Sequence, residues 1–183
     1  MEKSIVNVLI LRNCFHSKSE RDQYIIKYLK KIYGMSDEIQ IQLHKDGYGK
    51  PYLTGCNLFC SISHSGKYVC VALFHREIGI DIEEKKPIDF EKIMSYLFTE
   101  QEKLCVNHDI SKFYDVWVKK ESFSKMLGKG LLLPFNSFCV EEEADIILKK
   151  IDLSREYIGY LCYAKSNEMV DVRIWFTGDM MNE

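Results

Sequence analysis

The chain has 183 residues, 46% of them hydrophobic and 28% charged, with a formal net charge of −2. That length allows one sizeable domain or two small lobes sharing an interface, and the composition is that of a soluble globular protein. The near-neutral balance argues against a dedicated nucleic-acid binder, although a local basic pocket is compatible with it. Seven cysteines are spread through mostly apolar runs, with no C-x-x-C pair and no Cys/His set at zinc spacing. Reduced thiols and a cytoplasmic setting are therefore expected.

The opening stretch, "MEKSIVNVLILRNC", has a short apolar run interrupted by Asn7 and closed by Arg12. It is too short for a leader or a membrane span and reads as a strand over 4–11. A helix over 19–33 follows, with Ser17 and Glu20 at capping-box spacing, an apolar stripe of Ile25, Tyr28, Leu29 and Ile32, and Gly34 as its stop. Residues 36–58 are loop-rich. The apolar runs 67–74 and 77–83, separated by His75 and Arg76, read as a hairpin. "KKPID" (85–89) is the expected lobe boundary, dividing the chain into 1–84 and 85–183. Beyond it the patterning predicts helices over 89–98, 99–106 and 110–127, then strands over 144–151, 157–165 and 169–176. The fold class is α+β.

Four stretches carry candidate chemistry. In "GIDIEE", strand alternation puts Asp81 and Glu83 on one face, opposite Ile80 and Ile82. Two carboxylates so placed, roughly 6–7 Å apart, repel by about 1 kcal/mol unless water or a cation screens them. They mark either a strand end entering solvent or two oxygens of a hard-cation site that needs a third ligand. In "YDVWVKKESFSKMLGKGL", helical spacing puts Trp117, Glu121 and Lys125 on one face. That is either an exposed Glu–Lys pair beside a half-buried Trp or the source of the third carboxylate. The Gly-Lys-Gly turn beyond it is a plausible phosphate contact. In "SISHSGKYV", Ser63, His64 and Ser65 are expected at a bend before a strand, which suits either turn chemistry or anion binding. Lys50, between Gly49 and Pro51, is either solvated or aimed by rigid neighbours.

Taken in order, "GYGKPYL", "SISHSGKYV", "GIDIEE" and "WVKKESFSKMLGKGL" resemble the 4′-phosphopantetheinyl transferases, of the two-lobed type that activates nonribosomal peptide and polyketide carrier proteins. The motifs span 47–131. Ser122 stands where many members have alanine, and the chain is short for the type. The resemblance implies two α+β lobes related by a pseudo-twofold axis, with coenzyme A in the cleft between them. It implies Asp81, Glu83 and Glu121 as Mg²⁺ ligands, and Lys50, Ser63 and His64 as nucleotide contacts. Lys120 and Lys125 would be phosphate contacts, with Arg21 near the nucleotide.

The implied reaction moves phosphopantetheine from coenzyme A to a serine of an apo acyl or peptidyl carrier protein and releases 3′,5′-ADP. Glu121 would accept the serine proton, directly or through water, and Lys125 would protonate the leaving phosphate. The implied partner is the acidic carrier, steered by lysines such as Lys86, Lys112 and Lys119; no nucleic-acid or membrane partner is implied, and a monomer is expected. Two other readings use the same residues: a non-catalytic coenzyme A or nucleotide-binding module, and a Mg²⁺-dependent phosphohydrolase.

Overall fold

The computed structural model describes residues 3–177; residues 1–2 and 178–183, the outer ends of the two expected lobes, lie outside the described residues. Strand β1 (Ser4–Arg12) is buried on both faces. Val6, Val8 and Ile10 point into one core, Leu9 and Leu11 into another, as a continuous apolar run in a central strand requires. Helix α1 (Lys18–Tyr33) starts at Ser17, whose hydroxyl accepts the Glu20 N–H at 3.0 Å, and stops at Gly34 in the left-handed region (φ 60°). The Glu20 carboxylate takes the His16 N–H at 2.8 Å, one residue before the expected reciprocal partner.

Strands β2 (Gln42–Lys45) and β3 (Pro51–Thr54) form a two-stranded hairpin inside the stretch expected to be loop. Each has four residues, half of them exposed, and turns one leucine, Leu43 or Leu53, toward the α1 side, which is too short a run to leave a period-2 signal. Strands β4 (Phe59–Ser65) and β5 (Tyr68–Phe74) pair across Gly66 and Lys67. Ser63, His64 and Ser65 therefore lie within a strand, not at a bend before one. Strand β6 (Ile78–Glu84) does not pair with β5, contrary to the hairpin expected for 67–74 and 77–83. The reason is that β5 already has β4 on one edge and β1 on the other.

The second half supplies helices α2 (Phe90–Leu97), α3 (Glu100–Val106) and α4 (Ile110–Leu127). Three short 3-10 turns between 130 and 142 lead to strands β7 (Ile146–Ile151), β8 (Tyr157–Ala164) and β9 (Val170–Phe176). The fold is mixed α+β. One sheet has the order β4-β5-β1-β9, with β9 parallel to β1; the other has the order β6-β8-β7. An apolar core shared by Val8, Ala72 and Phe74 of the first sheet and Ile80, Ile82 and Leu161 of the second holds them together. Helix α1 covers the outer side of the first sheet, and α4 packs on β6 and β8.

The approach of α4 to β6 is close enough to dictate a residue. A Cβ on Gly79 would fall 1.8 Å from the Ser122 carbonyl oxygen and 2.6 Å from the Met126 amide nitrogen, both backbone atoms. Gly79→Ala must therefore push the helix off the strand. It is expected to destabilise the protein by about 3 kcal/mol or more, read as a lowered urea midpoint.

Candidate active site

A cavity of about 460 Å³ opens beside β4, β6 and the C-terminal half of α4. From β6 come Asp81 and Glu83, from β4 Ser63 and His64, and from α4 Glu121 and Lys125. Arg21 and Lys50 line its further wall, so every residue that the family resemblance implies for the site reaches this cavity except Lys120. The period-2 and period-3.6 arguments explain the convergence. Ile78, Ile80 and Ile82 enter the inter-sheet core, which turns Asp81 and Glu83 to the α4 side, where Glu121 stands one helical turn from Lys125.

Asp81 is almost wholly buried. Its Oδ1 accepts the Ser63 hydroxyl at 2.8 Å and the Lys125 ammonium at 2.6 Å, and Lys125 also donates to Ser63 Oγ at 3.0 Å. Asp81 Oδ2 is buried with no hydrogen-bond partner. Glu83 Oε2 accepts the Ser65 hydroxyl at 2.8 Å. Burial pushes the Glu83 carboxyl above its usual range and Asp81 adds to the rise, while Ser65, Lys125 and Trp117 oppose it. Glu121 is raised further, to about 7, first by burial and then by the charge of Asp81, with Lys125 lowering it and Glu83 raising it.

These are the properties of an oxygen-rich site short of positive charge. Among the described residues no three His, Cys, Asp or Glu side chains are drawn together into an ion-holding group. As they stand, the Lys125 ammonium rests on Asp81. The donor set nonetheless fits a hard cation: all its donors are carboxylate oxygens, and one of them, Asp81 Oδ2, is buried with nothing to bond.

The cationic side of the cavity is more committed than expected. Lys50 donates to the Met126 carbonyl at 2.8 Å and pairs with Glu77, and the Arg21 guanidinium pairs with neighbouring Asp22. Lys120, expected as a phosphate contact, is fully buried behind the helix. It bonds Glu102 Oε1 at 2.7 Å, Oε2 at 2.8 Å and the Phe138 carbonyl at 2.5 Å. Consecutive helix residues diverge by about 100°, so Lys120 cannot share the face of Glu121. Burial pulls its pKa down and Glu102 opposes that. Lys119 is likewise tied to Asp115 and Glu141, each at 2.5 Å, and is not a free steering charge. Sequence reasoning missed Lys45 and Tyr48, which also line the cavity. Their signal was the flanks of the "KDGYGKP" turn, legible only once β2 and β3 are known to pair.

The chain is also similar to known proteins. The 4′-phosphopantetheinyl transferase superfamily model matches residues 77–171, about half of the chain. The chain belongs to the 4′-phosphopantetheinyl transferase superfamily. It is 39% identical over 138 residues to 4′-phosphopantetheinyl transferase Sfp of Bacillus subtilis, covering 73% of this chain and 60% of that protein. To 4′-phosphopantetheinyl transferase gsp of Aneurinibacillus migulanus it is 36% identical over 123 residues, covering 64% and 51%. To 4′-phosphopantetheinyl transferase psf-1 of Bacillus pumilus it is 30% identical over 172 residues, covering 84% and 73%. The chain thus spans about half to three-fifths of the length of the first two relatives. The superfamily match includes the β6 carboxylates and α4, whereas the cavity wall built by α1 to β4 precedes it.

Two consequences can be measured. Glu121 binds its proton more tightly folded than unfolded, so its contribution to stability is present below its ordinary pKa and is lost as pH rises towards 7. Metal-free Glu121→Gln should gain stability relative to the parent as pH goes from 5 to 8, by on the order of 2 kcal/mol, in paired thermal melts. Lys120→Ala strands the buried Glu102 carboxylate and should cost about 3–5 kcal/mol by urea denaturation.

Proposed function

We propose that this chain transfers the 4′-phosphopantetheine group of coenzyme A to a serine of an apo acyl or peptidyl carrier protein, releasing 3′,5′-ADP. The observation that carries this reading is the sharing of one cavity by three carboxylates and four cationic side chains, Arg21, Lys45, Lys50 and Lys125. A diphosphate with a divalent cation is the ligand whose charges both sets complement.

Asp81, Glu83 and Glu121 would hold Mg²⁺, in the site that Asp81 Oδ2 leaves unsatisfied. When bound, the ion neutralises charge building on the diphosphate oxygens. Glu121 would take the carrier serine's proton, directly or through water, as the serine oxygen attacks the β-phosphorus; a cation on the same carboxylates would lower the pKa that burial raises in its absence. As the bond to the bridging oxygen breaks, Lys125 gives a proton to the departing phosphate. Lys45, Lys50 and Arg21, with His64, bind the nucleotide end, whereas the Ser63 hydroxyl, expected there too, is committed to Asp81 and the β6 backbone. Lys50 must first exchange its bond to Met126 for the ligand, and the same holds for Lys125 on Asp81.

The two-lobed, pseudo-twofold organisation with its division after residue 84 belongs to this reading; strand pairing crosses that division, since β6 joins β8 and β9 joins β1. So does action as a cytoplasmic monomer with seven reduced thiols. No helix among the described residues is long and apolar enough to cross a membrane.

Incubation of an apo carrier protein with coenzyme A and Mg²⁺ should add one phosphopantetheine, seen by intact mass, and a chelator should abolish the gain. Glu121→Gln should slow transfer by about 10²–10³-fold. Cleavage of coenzyme A with no carrier present would mark a phosphohydrolase, and binding without any turnover a non-catalytic module.

A further inference from the structure

Three serines alternate along β4, and all three meet β6. The Ser61 hydroxyl accepts the Ile80 N–H at 3.0 Å, Ser63 that of Ile82 at 3.3 Å, and Ser65 that of Glu84 at 3.0 Å. Strand β6 is the edge of its sheet, with β8 on its other side. Backbone donors that a further strand would normally take are taken by side-chain hydroxyls instead. A hydroxyl that has accepted one bond still has its own hydrogen to give. Ser63 gives it to Asp81 and Ser65 to Glu83, each at 2.8 Å. Ser61 has no such outlet, because the residue ahead of Ile80 is Gly79.

We propose that Ser65, together with Ser63, is a positioning residue for the carboxylate site: anchored on the β6 backbone, its hydroxyl sets the orientation of the Glu83 carboxylate within the cavity. This rests on the cation-binding role proposed above for Asp81 and Glu83. A glutamate has three rotatable bonds, and a donor fixed to the strand that carries it removes much of that freedom before any ligand arrives. Ser61 does only the first half of the task. It bonds the same strand edge and holds the sheets together without touching an acid, which makes it an internal control.

The test uses the full chain, metal-free, with Mn²⁺ as probe and free Mn²⁺ read by electron paramagnetic resonance, alongside urea denaturation. Ser61→Ala and Ser65→Ala should shift the urea midpoint similarly. Only Ser65→Ala should weaken Mn²⁺ binding, by about tenfold, and Ser65→Thr should recover it to within about threefold. Ser65→Cys keeps the shape with a weak donor, and shows the same loss in smaller degree should the alanine variant not fold. Equal weakening by Ser61→Ala and Ser65→Ala would reduce the serines to sheet docking and overturn the proposal, as would unchanged binding in Ser65→Ala. A parent protein that binds no Mn²⁺ would remove the proposal together with the cation site beneath it. A parent that binds Mn²⁺ but leaves every carrier unmodified would count against the transferase reading while the serine comparison still stands.

Discussion

Strand β6 brings two carboxylates into the interior of the molecule, and it can do so because it is held on both faces and along both edges. Its isoleucines are locked into the core shared by the two sheets. Its acidic side faces α4, which lies so near that only hydrogen fits at residue 79. One edge pairs with β8, and the other is closed by hydroxyls of β4. A strand pinned in this way cannot slip by one residue, since a slip would exchange isoleucines for acids in the core. The position of every charge in the cavity follows from that registration.

The same confinement explains the electrostatics. Acids in a partly dry cavity repel one another and resist ionisation, and Glu121 carries most of that burden. Lys125 relieves part of it by resting on Asp81. The protein alone therefore keeps a proton on Glu121 up to a pH close to neutral. Lys120, beside Glu121 in the chain, takes no part, because the helix sends it backward into a separate ion pair that fastens α4 to α3.

Superfamily membership and this geometry support each other from different sides. The match over 77–171 covers the strand and helix that bear the carboxylates. The wall carrying Arg21, Lys45, Lys50, Ser63 and His64 comes from the other half of the chain and is joined to the acids only by folding.

Much of the acidic centre could be read directly from the chain. Alternation in "GIDIEE" sets Asp81 and Glu83 on a common face, and helical repeat in "WVKKESFSK" sets Trp117, Glu121 and Lys125 on another. These features are local, governed by the geometry of a few consecutive residues, and so they are written in the order of the side chains. Partnerships between distant segments are not. That β6 would leave β5 for β8, that β9 would lie along β1, that a hairpin would form within 36–58 and that Lys120 would be swallowed by the core were decided by which surfaces bury one another. The serine ladder belongs to the same class. Its spacing is plain in "SISHS", but its meaning depends on a strand edge that only the packing of the two sheets brings alongside.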